Sequence, residues 1–231
     1  MTHTIYMTLS AVGNVGKTTV AHHVLASAAD GSVCTLETHS ASGDERDVID
    51  RDGLAARLFA PPESGLVLDV GVGDTVDAIE AMALVARQDT SLSARLRIVV
   101  PLLVGGKSIA GLRWLLGQMP ESLRGSVRAL WNRVRSGEES AVRESDLTRA
   151  ARAIIRQVSG RLCVPVLHES PLFDPMHPLV RGRSSLGAVA SISDTEIRSA
   201  PLAEIPALLA GRDAAQSAQA DCREALAAID K

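Results

Sequence analysis

Aromatic side chains are scarce in this sequence: two Trp, one Tyr and two Phe among 231 residues. Any core must therefore be assembled from Ala, Val, Leu and Ile, and the hydrophobic fraction of 46% is ample for that. Cysteine is scarce too. Cys34, Cys163 and Cys222 are far apart and odd in number, which argues against a disulfide framework. No run approaches the roughly 18 apolar residues of a membrane span. A positive excess is also missing, since 24 Lys and Arg stand against 27 Asp and Glu for a formal charge of −3. That balance argues against binding nucleic acid through bulk basicity. The opening residues Met1–Thr2–His3–Thr4–Ile5 carry no positive region ahead of their apolar run, unlike a secretory signal. These absences lead to the expectation of a cytoplasmic protein. Its length suits one domain over residues 1–231, with a helical segment at about 200–231.

What is present is alternation. Residues 4–9, 32–37, 66–70, 96–101, 127–132 and 162–167 read as six strands, rich in Val, Leu, Ile and Thr. Between them lie stretches with apolar residues at helical spacing: about 17–29, 48–59, 76–87, the run marked by Ile109 to Met119, and an Arg-rich helix over about 140–158. Past residue 168 the pattern is irregular, and two further helices are expected near 202–210 and 213–229. Repeated strand–helix alternation predicts an α/β fold: a doubly wound, mainly parallel sheet with helices on both faces.

The first strand runs directly into Ala11–Val12–Gly13–Asn14–Val15–Gly16–Lys17–Thr18, followed by Thr19 at the start of a helix. A phosphate chain is held by backbone N–H groups that curl around it at a helix N-terminus, where the helix dipole adds favourable potential. Such a loop needs small residues, a Lys for the β- and γ-phosphates, and a hydroxyl for Mg2+. Gly13 and Gly16 supply the freedom, Lys17 the cation and Thr18 the hydroxyl, with Asn14, Val15 and Thr19 completing the cradle. Ala11 stands where the strict pattern has Gly, a mild departure between two small residues. The strand before and the helix after are the context a phosphate loop requires. Asp69 ends an apolar strand ahead of Gly71 and Gly73, and is the candidate to complete Mg2+ through water. A plain strand-end turn is its bland alternative. Glu37, at the end of the second strand, is a weaker metal candidate, against a solvated edge residue. Asn132, ending the fifth strand, reads equally as a purine contact and as a turn former.

With these residues in place, the chain resembles the ParA/MinD group of P-loop ATPases. Gly13 to Thr19 is similar to that group's Gly-Gly-Val-Gly-Lys-Thr-Thr loop. Glu37 and Asp69 fall where the group has acids on its second and third strands, and Val100–Pro101 and Trp131–Asn132–Arg133 resemble two later strand-end motifs. The resemblance covers about residues 4–190. Within the group, Gly-Asn-Val-Gly-Lys-Thr-Thr looks most like plasmid stability proteins of the StbB type, then conjugal transfer proteins of the TraL type. It implies an ATP-binding, slowly hydrolysing switch in plasmid stability, partition or conjugative transfer, with Lys17 and Asp69 as catalytic residues and ATP and Mg2+ as cofactors. It also implies a weak or nucleotide-dependent homodimer and a protein partner from a partition or transfer system. Two departures limit the carry-over. Val12 stands where the group has a second Lys that reaches across an ATP-bound dimer, and His39 stands where it has an Asp tied to hydrolysis. Cross-dimer activation and fast hydrolysis therefore do not transfer with the resemblance.

Other features carry less. Between Arg124 and Arg161 lie nine Arg and four acids, a local excess of five. Arg149, Arg152 and Arg156 share one helix face, which suits DNA phosphates but more commonly marks a solvated face. The adjacent His22 and His23 point apart on a helix and make a poor zinc pair. Gly105–Gly106–Lys107–Ser108 reads as a strand-to-helix turn. The competing function is an ATP-dependent metabolic enzyme on the same scaffold, a dethiobiotin synthetase-like ligase or a small-molecule kinase. A third is a module that binds nucleotide without turning it over.

Overall fold

The computed structural model describes residues 4–26, 33–36, 48–60, 65–103, 106–134, 139–159, 165–174, 176–181, 183 and 186–230. Glu37, His39 and Cys163 lie outside them. Seven strands form one parallel sheet: β1 (Ile5–Thr8), β2 (Val33–Leu36), β3 (Val48–Ile49), β4 (Leu66–Val70), β5 (Leu96–Leu102), β6 (Val127–Val134) and β7 (Val166–His168). Their order is β3-β2-β4-β1-β5-β6-β7, which places β1 between β4 and β5 at the centre. The connecting helices are α1 (Lys17–Val20), α2 (Arg51–Phe59), α3 (Thr75–Gln88), α4 (Leu92–Arg95), α5 (Gly106–Gln118), α6 (Glu121–Arg124), α7 (Glu139–Glu144) and α8 (Asp146–Ser159). After β7 come α9 (Pro178–Arg181), α10 (Leu186–Ala190), α11 (Asp194–Ser199) and the long α12 (Ile205–Asp230).

Strand alternation divides the core in two. Ile5 and Met7 of β1 face one side with Leu66, Leu68, Leu96, Ile98, Ala129 and Trp131, and α2, α3, α5 and α8 cover them. Tyr6 faces the other side with Val67, Val99, Leu130 and Leu167, under Val20, Val24 and Leu25 and the end of α12. Both faces are covered, so the central strands are apolar throughout rather than half polar. This is the doubly wound α/β arrangement expected from the alternation.

Four boundaries differ from that expectation. The segment starting at Val48 first makes a short strand, pairing with Thr35 and Leu36. Only then does the helix begin, because the Asp50 carboxylate accepts from the Gly53 N–H at 2.8 Å and caps it at Arg51. The Arg-rich helix is two helices, broken at Ser145, whose hydroxyl accepts from the Thr148 N–H at 3.1 Å. The first helix keeps α geometry only to Val20 and continues as a wider π turn over Ala21–Leu25. The two helices expected after residue 202 are one helix of 26 residues.

In α12, Leu208, Gly211, Ala215, Ala218, Cys222, Ala225 and Ile229 are buried in alternating steps of three and four, a continuous seam that outweighs the glycine in mid-helix. A Cβ on Gly211 would stand 2.3 Å from Leu179 Cδ1, so the glycine lets Leu179 pack there. Burial pushes the Cys222 thiol up to about 12, leaving it a protonated packing group.

Polar bonds fasten α12 to the sheet. Arg128 Nε donates to the Ile229 carbonyl at 3.0 Å, His168 Nδ1 lies 2.7 Å from Asp221 Oδ2, and the Tyr6 hydroxyl donates to Asp230 Oδ1 at 2.7 Å. Burial and the Asp230 carboxylate both raise the Tyr6 phenol above its ordinary value. Tyr6→Phe is expected to cost about 1 kcal/mol, read by urea unfolding at neutral pH. A midpoint identical to wild type would show that this anchor contributes nothing.

Candidate functional site

The site forms where β1 and β4 end beneath the start of α1, and strand parity decides which side chains reach it. Thr8 and Asp69 are register partners in the parallel β1–β4 pair. Both follow by two residues a side chain that faces α1, Tyr6 and Val67, so both point to that same face. Asn132 follows Leu130 in the same way on β6.

The consequence is a compact hydrogen-bonded base. Asp69 is buried and accepts from two hydroxyls, Thr8 Oγ1 at 2.7 Å on one oxygen and Thr18 Oγ1 at 2.6 Å on the other. The first helical turn is thereby tied to the end of β4. Asn132, also buried, donates its amide N–H to the Val15 carbonyl at 2.8 Å. Asn132 thus braces the loop from below. That bond uses one of its two amide N–H groups and leaves the Oδ1 without a partner among the described residues.

Above this base the loop curls. Asn14 and Gly16 have positive φ, 59° and 80°, as a chain must when it turns successive N–H groups inward. Asn tolerates that region and Gly enters it freely. Val12 N donates to Ser10 Oγ at 3.1 Å, and Thr75 Oγ1 donates to the Ser10 carbonyl at 3.0 Å, fixing the loop to the start of α3. Val12 packs onto α5, where a Cβ on Gly111 would stand 2.8 Å from Val12 Cγ2. Val15 is buried, whereas Gly13, Asn14 and Thr18 are exposed and Thr19 is half-buried.

The loop opens onto a cavity of about 370 Å³ lined by Gly13 through Thr19, Asp69 through Val72, and Arg133. Lys17 is buried against it, and burial lowers its amine below the ordinary value, with Asp69 opposing in part. A pocket that holds an ammonium partly desolvated strengthens its attraction for an anion. The Thr18 hydroxyl and the Asp69 carboxylate form an oxygen-only donor pair, which suits a hard cation such as Mg2+.

The structure brings Gly13 to Thr19 and Asp69 to one cavity, with Asn132 beneath it. Glu37 falls outside the described residues. Sequence reasoning missed Thr8, whose signal was its place opposite Asp69 once β1 and β4 are paired. It also missed Arg133 as a cavity residue. The nine arginines of 124–161 do not form one described surface. Arg128 is buried, Arg133 lines the cavity, Arg149 pairs with Asp146, and Arg135 and Arg161 lie outside the described residues.

Among the described residues no helix is long and apolar enough to cross a membrane. No family model and no curated protein matches the chain. Among solved structures, the chain is similar to apo McdA from Cyanothece at 15% identity and a TM-score of 0.49, over 94% of this chain and 99% of that one. It is also similar to the ATP complex of a single-substitution variant of Cyanothece McdA at 14% identity and a TM-score of 0.39, over 95% and 97% of the two chains.

Proposed function

We propose that this protein is an ATP-binding P-loop switch of the ParA/MinD type that hydrolyses ATP slowly. The observation that carries the reading is the joined base of the loop, in which Thr18 and Thr8 both hydrogen-bond Asp69 beside a buried Lys17. In this reading the loop N–H groups and Lys17 hold the phosphates, and Thr18 and Asp69 hold Mg2+, Asp69 through water. Mg2+ would neutralise charge on the β- and γ-phosphates. Lys17 and Asp69 would orient the phosphate chain and its metal, and Thr8 would keep the Asp69 carboxylate aimed at Thr18.

A role in plasmid stability, partition or conjugative transfer, like that of StbB- or TraL-type proteins, is the cellular part of the proposal. It rests on the sequence of the loop. An apolar patch beside the loop supports a nucleotide-dependent homodimer or a protein partner. Val72, Val76 and Trp114 are 41%, 51% and 42% exposed there, and Val72 also lines the phosphate cavity. DNA binding would fall to the face of α8 that carries Arg149, Arg152 and Arg156.

The test is size-exclusion with ADP, ATP and a non-hydrolysable analogue, with phosphate release measured in parallel. A switch changes oligomeric state or partner affinity with nucleotide. Turnover that depends on a small acceptor would instead identify a metabolic ligase or kinase. Asp69→Asn is expected to weaken Mg2+-dependent ATP binding about tenfold while sparing Mg2+-free binding, because Asn keeps the shape but not the charge. Equal loss with and without Mg2+ would make Asp69 a purely structural residue.

A further inference from the structure

Arg133 has no role in the reading so far, yet it lines the phosphate cavity. Its position there is not what its strand dictates. In β6 the side chains alternate, with Ala129 and Trp131 on one face and Leu130 on the other. Regular continuation would send residue 133 to the Trp131 face, away from α1. Instead its φ is +57°, and the pairing of β6 with β7 shifts register between Trp131 and Val134. An irregularity of this kind turns a side chain out of the strand's alternation. Arg133 ends exposed, with its Nε 3.7 Å from where a Cβ on Gly16 would stand.

A left-handed backbone at a residue that is neither Gly nor Asn is strained, and such strain collects at binding sites. The charge around the cavity supplies the reason here. Among the described residues that line it, Lys17 and Arg133 are the cations and Asp69 is the carboxylate. A triphosphate bears several negative charges, and the loop from Ala11 to Thr19 contains no cation besides Lys17.

We propose that Arg133 is the second cation of the phosphate site, delivered from the end of β6 in the same chain and contacting the phosphate chain directly. This rests on the P-loop reading above. Its guanidinium presents several N–H donors in a planar fork that matches phosphate oxygens. Asp69 lies on β4 to one side of β1 and Arg133 on β6 to the other, so the phosphate chain would run between the metal-holding pair and the guanidinium. The neighbouring Asn132, fixed to the Val15 carbonyl, holds the end of β6 against the loop and so keeps Arg133 in reach.

The experiment is titration calorimetry of Mg2+-ATP and of Mg2+-tripolyphosphate, which has no nucleoside, against wild type, Arg133→Gly and Arg133→Lys. Glycine suits the left-handed backbone, so Arg133→Gly should keep or raise Tm while losing about tenfold in affinity for both compounds. Arg133→Lys should recover part of the loss. The proposal is overturned if Arg133→Gly binds both compounds as wild type does. It is also overturned if that variant loses affinity for ATP alone, which would move the contact to the nucleoside. Wild-type protein that binds neither compound would sink the P-loop reading itself, a result distinct from the other two.

Discussion

Lys17→Ala is expected to remove triphosphate binding, raising Kd by about a hundredfold or more, and to leave the fold intact. The size follows from what is lost. Lys17 is the loop's only point charge, and hydrogen bonds to charged groups contribute about 1.5–3 kcal/mol each, against about 1.4 kcal/mol per tenfold in affinity. Burial around Lys17 increases the value of its charge to a bound anion. The same burial lowers its folded-state pKa below the ordinary 10.5. Across that window the unfolded chain binds more protons than the folded one, so the Lys17 contribution to stability rises with pH. Alanine deletes this term. Without nucleotide, the variant's stability relative to wild type should therefore be greatest at neutral pH and shrink as pH climbs toward 10. The comparison between the two proteins cancels the Tyr6 titration, which both share. Urea unfolding across pH reads the stability and calorimetry the binding. A variant that binds ATP as tightly as wild type would end the phosphate-loop assignment.

Gly16→Ala should damage both fold and site. At φ 80° a Cβ is strained by about 1 kcal/mol, and this one would stand 2.1 Å from the Asn132 amide nitrogen. That contact cannot be tolerated, so Asn132 or the loop must move. Either movement breaks the bond to the Val15 carbonyl and leaves polar groups buried without partners, at about 1–3 kcal/mol. Together these costs are about 2–4 kcal/mol, which lowers Tm by roughly 5–15 °C for a chain of this length. Nucleotide binding should be lost with the loop geometry. Adding Asn132→Ala removes the clash, so the double variant should be more stable than the sum of the two single changes predicts. Strict additivity would mean that the two residues do not meet as described.

The glycine loop was legible because its parts are contiguous. Gly13 through Thr19 needed only a strand before and a helix after, and each announces itself by local periodicity. Asp69 could be proposed from its place at the end of an apolar strand. Its hydrogen bonds to Thr8 and Thr18 could not, because they depend on β1 and β4 being paired in one particular register. Asn132 shows the same limit. Its place at a strand end was readable, but the bond to the Val15 carbonyl joins residues 117 positions apart. Some features defeated local reading altogether. Val48–Ile49 is too short to announce a strand and exists through its pairing with β2. The break expected between residues 210 and 213 does not occur, and Leu179 packs where Gly211 lacks a Cβ.

The sequence by itself determined the α/β class, the loop with its cation, and the alternation of side chains along each strand. All of these follow from local spacing and from the alternation that backbone geometry imposes. Tertiary structure alone decided the strand order, the continuity of α12 and the direction of Arg133. Each of these is set by contacts between segments distant in the chain: parallel register, the fit of Leu179 against Gly211, and a break in the β6–β7 ladder. The backbone strain at Arg133 is held in place by that surrounding packing, and no local propensity for arginine would select it.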